Sequence, residues 1–142
     1  MIRGVSHITF AVADLNRAVR FYIDAVGCRL VARWPRGAYL AAGDLWIALA
    51  LNPGATPASG ETHTALAVAD GDFDTIRDRI LRSGAREWRE NRSEGASVYF
   101  LDPDGHRLEV HVGTLASRLE ALAGRPEYEV YAGVSAPDTR RA

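Results

Sequence analysis

The stretch that decides the fold occurs twice. His7-Ile8-Thr9-Phe10-Ala11-Val12-Ala13-Asp14 returns 56 residues later as His63-Thr64-Ala65-Leu66-Ala67-Val68-Ala69-Asp70, with five of the eight positions identical. Self-similarity at a fixed offset marks a structural unit used more than once. An amphipathic segment follows each copy, over residues 15–26 and 73–83. Ala18, Val19, Phe21, Tyr22 and Val26 recur at near-helical spacing in the first, and Phe73, Ile76, Ile80 and Leu81 in the second. Gly27 and Gly84 stand where these helices should stop, since glycine tolerates the left-handed residue that ends many helices. Strand-like runs come next: 28–34, 38–42 and 45–51, then 86–88, 97–101 and 107–112. Gly43-Asp44 and Asp102-Pro103-Asp104-Gly105 have the composition of tight hairpin turns.

The pattern predicts an α+β fold of two paired βαβββ modules, about 4–51 and 62–113, within one domain spanning 1–123. Residues 52–61 hold two prolines and two glycines and read as the joint. Residues 114–123 read as a short helix with Leu115, Leu119 and Leu122 on one side. The tail, 124–142, is rich in proline, glycine and charge. It is expected to extend over the surface or over a partner chain, with 136–142 frayed.

Composition narrows the function. The 142 residues carry 17 basic and 18 acidic side chains, a formal charge of −1. A broad nucleic-acid surface would need a basic excess, so no nucleic-acid partner is expected. No apolar run approaches the 18 residues that span a bilayer, and the N-terminus shows no secretory apolar region. The single cysteine, Cys28, excludes an intrachain disulfide. Together these predict a cytoplasmic protein with no membrane partner.

The repeat places a metal-capable residue at the same position in both halves. Alternation along a strand puts His7, Thr9 and Ala11 on one face. If the halves are related by a pseudo-twofold axis, His7 and His63 can converge at their seam. The last strands, aligned as Leu45-Trp46-Ile47 with Leu108-Glu109-Val110, offer Glu109 as a third ligand and put Trp46 in its pseudo-symmetric place. Two imidazoles and one carboxylate leave coordination positions open, which suits catalysis or ligand capture better than a closed structural site. His106, in a turn, reads as solvent-facing; His111, which shares the strand parity of Glu109, reads as structural, with a supporting place behind the ligands as the alternative.

These residues resemble the vicinal oxygen chelate superfamily and, within it, the metal-dependent glutathione transferases of fosfomycin resistance. The likeness lies in His7-Ile8-Thr9, Gly37-Ala38-Tyr39-Leu40, Gly43-Asp44-Leu45-Trp46, Asn91-Arg92-Ser93-Glu94-Gly95 and the run from Tyr99 to Glu109, and extends to Ser117-Arg118-Leu119. It implies a domain-swapped homodimer that adds glutathione to the epoxide of fosfomycin. A manganese ion would take His7 from one subunit and His63 and Glu109 from the other. A potassium ion would be held by the loop containing Ser93, Glu94, Gly95 and Ser97. Arg89, Ser93, Tyr99 and Arg118 would bind the phosphonate, Thr9 would serve the opening epoxide oxygen, and Trp46 and Tyr39 would wall the pocket.

Three positions depart from that pattern: Arg89 replaces a usual lysine, Glu61 a tyrosine and Ala48 a cysteine. Rival readings are a hydrolase of the same fold, a transferase using another small thiol, and a drug-sequestering protein without catalysis. A hydrolase would need an added general-base carboxylate in the pocket.

Overall fold

In a computed structural model, which describes residues 4–131, each module builds one four-stranded sheet. The first contains β1 (His7–Val12), α1 (Leu15–Phe21), β2 (Arg29–Trp34), β3 (Gly37–Ala42) and β4 (Leu45–Leu51). The second contains β5 (Thr64–Ala67), α2 (Phe73–Arg82), β6 (Glu87–Arg89), β7 (Ser97–Leu101) and β8 (Arg107–His111). A final helix, α3, spans Leu115–Leu122. The strand orders are β1-β4-β3-β2 and β5-β8-β7-β6. In each sheet the first strand runs parallel to the last, and the other neighbours are antiparallel. The duplicated βαβββ reading therefore holds for both halves.

Local chemistry explains the element ends. The Asp14 carboxylate accepts the Arg17 N–H at 3.0 Å and caps α1. That bond, first among its causes, holds the Asp14 carboxyl below its ordinary range. Thr114 and Ser117 cap α3 reciprocally. Gly27 and Gly84 adopt φ of +89° and +78°, the left-handed stops expected from sequence. One expectation needs correction. The segment 15–26 is not a continuous α-helix, because residues Tyr22–Val26 widen into a π-helical turn. Arg79 of α2 satisfies carbonyls there, donating to Ile23 O at 3.0 Å and to Asp24 O at 2.8 Å.

Both modules serve one core. Val12, Tyr22, Leu40, Ile47 and Leu49 from the first and Ile80, Phe100 and Leu108 from the second are fully buried. Each such side chain contributes roughly 1.5–3 kcal/mol of burial free energy. Alternation does the sorting: Ile8, Phe10 and Val12 of β1 turn inward, which leaves His7 and Thr9 on the open face. Each sheet thus spends one face on the shared core and presents the other outward.

Polar ties fasten the modules. Tyr22 Oη donates to Asp102 Oδ2 at 2.9 Å. Ala13 N and Arg17 Nη2 both donate to Asp104 Oδ1, at 2.8 and 3.1 Å. His106 Nε2 lies 2.7 Å from Ala11 O, and its ring packs 4.9 Å from Phe10. His106 is therefore a half-buried tie rather than the solvent-facing turn residue expected, because the turn before β8 folds against the end of β1.

Burial lifts the Asp102 carboxyl above its ordinary value of 3.8, although backbone N–H groups of Asp104 and His106 pull the other way. A raised folded-state value favours the protonated form. Asp102 therefore stabilises most below its ordinary pKa, and that contribution is lost as pH rises through the raised one. Tyr22→Phe removes the one donor to Asp102 Oδ2 among the described residues and should cost about 1.5–3 kcal/mol in urea unfolding at neutral pH. The deficit should shrink in acid, where the carboxyl is neutral; a deficit that does not depend on pH would contradict this account.

Candidate metal and substrate site

β8 and β7 carry the centre of the site. Glu109, 5% exposed, faces the open side of the second sheet from the middle of β8. A carboxylate so poor in solvent needs partners. Ser97 Oγ of β7 donates to Glu109 Oε1 at 2.6 Å, and His63 Nε2 lies 3.0 Å from Glu109 Oε2. His63 stands just before β5, and its Nδ1 is 2.8 Å from Glu61 O. A proton on Nδ1 donated to that carbonyl leaves Nε2 free to face a cation beside Oε2. Around the pair, Trp88 and Tyr99 rings lie 5.6 and 5.9 Å from the His63 ring. Trp88 fixes itself by donating Nε1–H to Leu108 O at 3.2 Å.

His7 is not with them. Among the described residues no group of three His, Cys, Asp or Glu side chains converges. Within one chain, the described residues bring His7 into no such group with His63 and Glu109. His7 lies on the open face of the first sheet, stacked on Trp46 with centroids 4.8 Å apart. Thr9 is exposed on the same face, and Tyr39 packs 5.6 Å from Trp46. The two open faces belong to different sheets, and each sheet turns its other face to the core.

The register corrects a second point. β1 pairs Thr9 with Ala48, whereas β5 pairs its repeat equivalent Ala65 with Glu109. The hairpins agree: Tyr39 is opposite Ala48, and Tyr99 is opposite Glu109. Ala48, not Trp46, is the pseudo-symmetric counterpart of Glu109. A two-residue shift keeps a side chain on the same face, so alternation could not detect it.

The remaining residues form a polar arc. Ser97 Oγ is also 2.8 Å from His111 Nδ1, and Arg118 Nη2 is 3.5 Å from His111 Nε2. His111 is thus a link between Glu109 and α3, a role its strand parity with Glu109 could have signalled. Arg89 Nη1 donates to Glu61 Oε2 at 2.6 Å, and the guanidinium sits 5.6 Å over the Tyr99 ring. In the loop before β7, Asn91 organises the turn: its Oδ1 accepts from Ser93 N and Oγ, and its Nδ2 donates to Gly95 O at 2.8 Å. Glu94 Oε2 is buried without a hydrogen bond, 3.5 Å from Arg118 Nε. Ser97 stands in β7 with its hydroxyl committed to Glu109 and His111. Cys28 is buried, and burial pushes its thiol up to about 11, so it is protonated at neutral pH and unsuited to act as a nucleophile.

Gly95 sets the loop's path. Its φ is +82°, and an added Cβ would lie 2.1 Å from Val112 O. Gly95→Ala should therefore move the loop and lower the melting temperature. Gly43→Ala, at φ +59° but with no heavy atom within 4 Å of the added Cβ, should carry only the backbone strain. Equal losses in the two variants would remove the steric argument.

The chain is similar to known proteins. A sequence model described as the Glyoxalase/Bleomycin resistance protein/Dioxygenase superfamily matches residues 4–110. A protein named glutathione transferase FosA, from Serratia marcescens, is 45% identical over 138 residues, covering 94% of this chain and 95% of its own. Metallothiol transferase FosB from Shouchella clausii is 37% identical over 126 residues, 84% of this chain and 86% of its own. The crystal structure of fosfomycin resistance protein FosX from Mesorhizobium loti superposes with a TM-score of 0.72 at 37% identity, covering 84% of this chain and 99% of that one. A FosX variant from Listeria monocytogenes, complexed with Mn(II) and 1S,2S-dihydroxypropylphosphonic acid, also gives 0.72, at 28% identity with the same coverage.

Proposed function

This chain belongs to the Glyoxalase/Bleomycin resistance protein/Dioxygenase superfamily, and within it we propose that it is a metal-dependent transferase that opens the epoxide of fosfomycin by adding glutathione. The observation that carries the reading is the buried Glu109 carboxylate, oriented by Ser97 and set 3.0 Å from His63 Nε2, in a chain 45% identical to a glutathione transferase. This donor set fits a divalent cation such as Mn²⁺: one imidazole nitrogen and one carboxylate oxygen, each fixed by a second hydrogen bond.

The third ligand would be His7 of a second copy. The face that bears His7 also exposes Trp34, Tyr39 and Trp46, with Trp46 44% exposed, an apolar surface suited to burial in a homodimer. Two chains paired through opposite modules complete two sites, and Thr9, Tyr39 and Trp46 then face His63, Tyr99 and Arg89. The domain in this assembly runs to about residue 123. Residues 124–131 follow α3 at the surface, and the tail segment 136–142 lies outside the described residues.

In the reaction the thiolate sulfur forms a bond to an epoxide carbon, the carbon–oxygen bond breaks, and its electron pair stays on oxygen. A bound divalent metal supplies Lewis-acid stabilisation of that oxygen. Thr9 Oγ1–H donates to the same oxygen from the facing module. Arg89 and Arg118 hold the phosphonate with the Ser93 and Tyr99 hydroxyls. Trp46 and Tyr39 exclude water from the reacting carbon. The Asn91-ordered loop is where K⁺ would bind, with the buried Glu94 Oε2, which makes no hydrogen bond and shares its charge with Arg118, and the cation would add positive charge beside the phosphonate.

The kinship to FosX keeps water addition as a second reading. It is the weaker one, because the open face of the first sheet carries Ala32, Trp34, Tyr39, Trp46, Ala48, His7 and Thr9 with no carboxylate among them, and the Glu61 carboxylate beside the second sheet is engaged by Arg89. Thiol-dependent consumption of fosfomycin with Mn²⁺ and K⁺ is the test, and consumption by water alone would favour the hydrolase. Tight fosfomycin binding with neither metal nor turnover would favour sequestration. Other small thiols belong in the same assay.

Glu109→Gln should weaken Mn²⁺ binding by at least tenfold and lower kcat/KM with it; undiminished metal content would remove the ligand assignment. Mixing inactive His7→Ala and Glu109→Gln proteins should restore about a quarter of wild-type activity. Half of the re-paired dimers are then heterodimers, each with one intact site. No recovery after confirmed subunit exchange would contradict a shared site.

A further inference from the structure

Arg89, the cation assigned to the phosphonate, already holds an anion. Its Nη1 donates to Glu61 Oε2 at 2.6 Å. The pair is close to the metal half-site: the Arg89 guanidinium lies over Tyr99, whose ring is edge-on to that of His63. Glu61 is also tethered by its backbone. Its own carbonyl faces His63 Nδ1 at 2.8 Å, and the preceding carbonyl, of Gly60, accepts from Arg107 Nη1. The carboxylate is therefore anchored at the rim of the site, although its side chain is 86% exposed. An ion pair this exposed is weak enough to be exchanged.

We infer that Glu61 is a specificity-determining residue, which occupies Arg89 in the free protein and must be displaced by the anionic group of the substrate. This rests on the reading that Arg89 receives the phosphonate. Exchange is feasible because the two residues line an open cavity of about 600 Å³ that also holds Arg92, Arg107 and Glu90; Arg92 is already paired with Glu90, which leaves Arg107 as the nearby cation for a released carboxylate. The tether also keeps the released carboxylate close to the bound anion. Repulsion scales with the product of the charges, so a dianion is disfavoured more than a monoanion of the same shape. Glu61 thereby biases the site toward compact monoanionic groups and holds down affinity for a phosphonate dianion.

Calorimetric titration of fosfomycin into the full-length, Mn²⁺-loaded protein tests this without requiring turnover. Glu61→Gln should tighten binding roughly three- to tenfold at low salt, with the gain reduced by added salt. In turnover the same variant should lower KM with little change in kcat. Arg89→Gln should weaken binding, and adding Glu61→Gln to it should give a clearly smaller gain than in the wild-type background. Unchanged or weaker binding by Glu61→Gln, or an equal gain in both backgrounds, would overturn the inference. Failure of the functional reading looks different. A wild-type protein with no thiol-dependent turnover whose Glu61→Gln variant binds fosfomycin more tightly loses the transferase assignment and keeps the role of Glu61. A wild-type protein that turns over while Glu61→Gln changes nothing keeps the transferase and loses the inference. Circular dichroism of each variant verifies the fold, which an exposed side chain should not disturb.

Discussion

A carboxylate buried in the middle of a strand constrains everything around it. Glu109 has little contact with water, so its charge has to be met by groups of the protein or by a bound cation. Ser97 meets one oxygen, and the other lies 3.0 Å from His63 Nε2, where a cation can sit beside both. The Ser97 hydroxyl is shared with His111, whose far nitrogen faces Arg118. The strand, the joint before β5 and the last helix are thus arranged around one negative charge. A site built this way is set up before any ligand arrives, which lowers the cost of ordering it on binding.

The two halves have divided the labour that duplication gave them. Both copies keep the sheet, the helix and the inward apolar residues, because both contribute to one core. On the outward faces they differ. Where the second module has Glu109, the first has Ala48, and the space beside Ala48 is left to Thr9 and the aromatic cluster of Tyr39 and Trp46. One face holds ligands and cations, and the other holds a histidine, a hydroxyl and apolar walls. Among the described residues no group of three metal-capable side chains joins the two faces.

The polar ties between modules keep that arrangement rigid. Tyr22, Arg17, Arg79 and His106 reach across from one half to satisfy carboxylates or carbonyls of the other. Such bonds are modest singly. Their effect is geometric, because they fix how the two open faces are oriented within the chain.

Much of this was legible in the sequence, because strands and helices announce themselves by period. The repeat, β4 and β7 to the residue, the glycine stops and the turn compositions follow from local rules. So does the face on which His7, Thr9 and Glu109 lie. Tertiary structure alone decided the rest. A period of two fixes the face of a strand and leaves its register open, so the equivalence of Ala48 with Glu109 had to come from the pairing itself. The π-helical turn depends on Arg79, 55 residues beyond Asp24. The Glu61–Arg89 pair and the Ser97–His111 link join residues whose proximity no spacing encodes. Sequence chose the chemical groups; the shared core, by turning both sheets outward, decided which of them could meet within one chain.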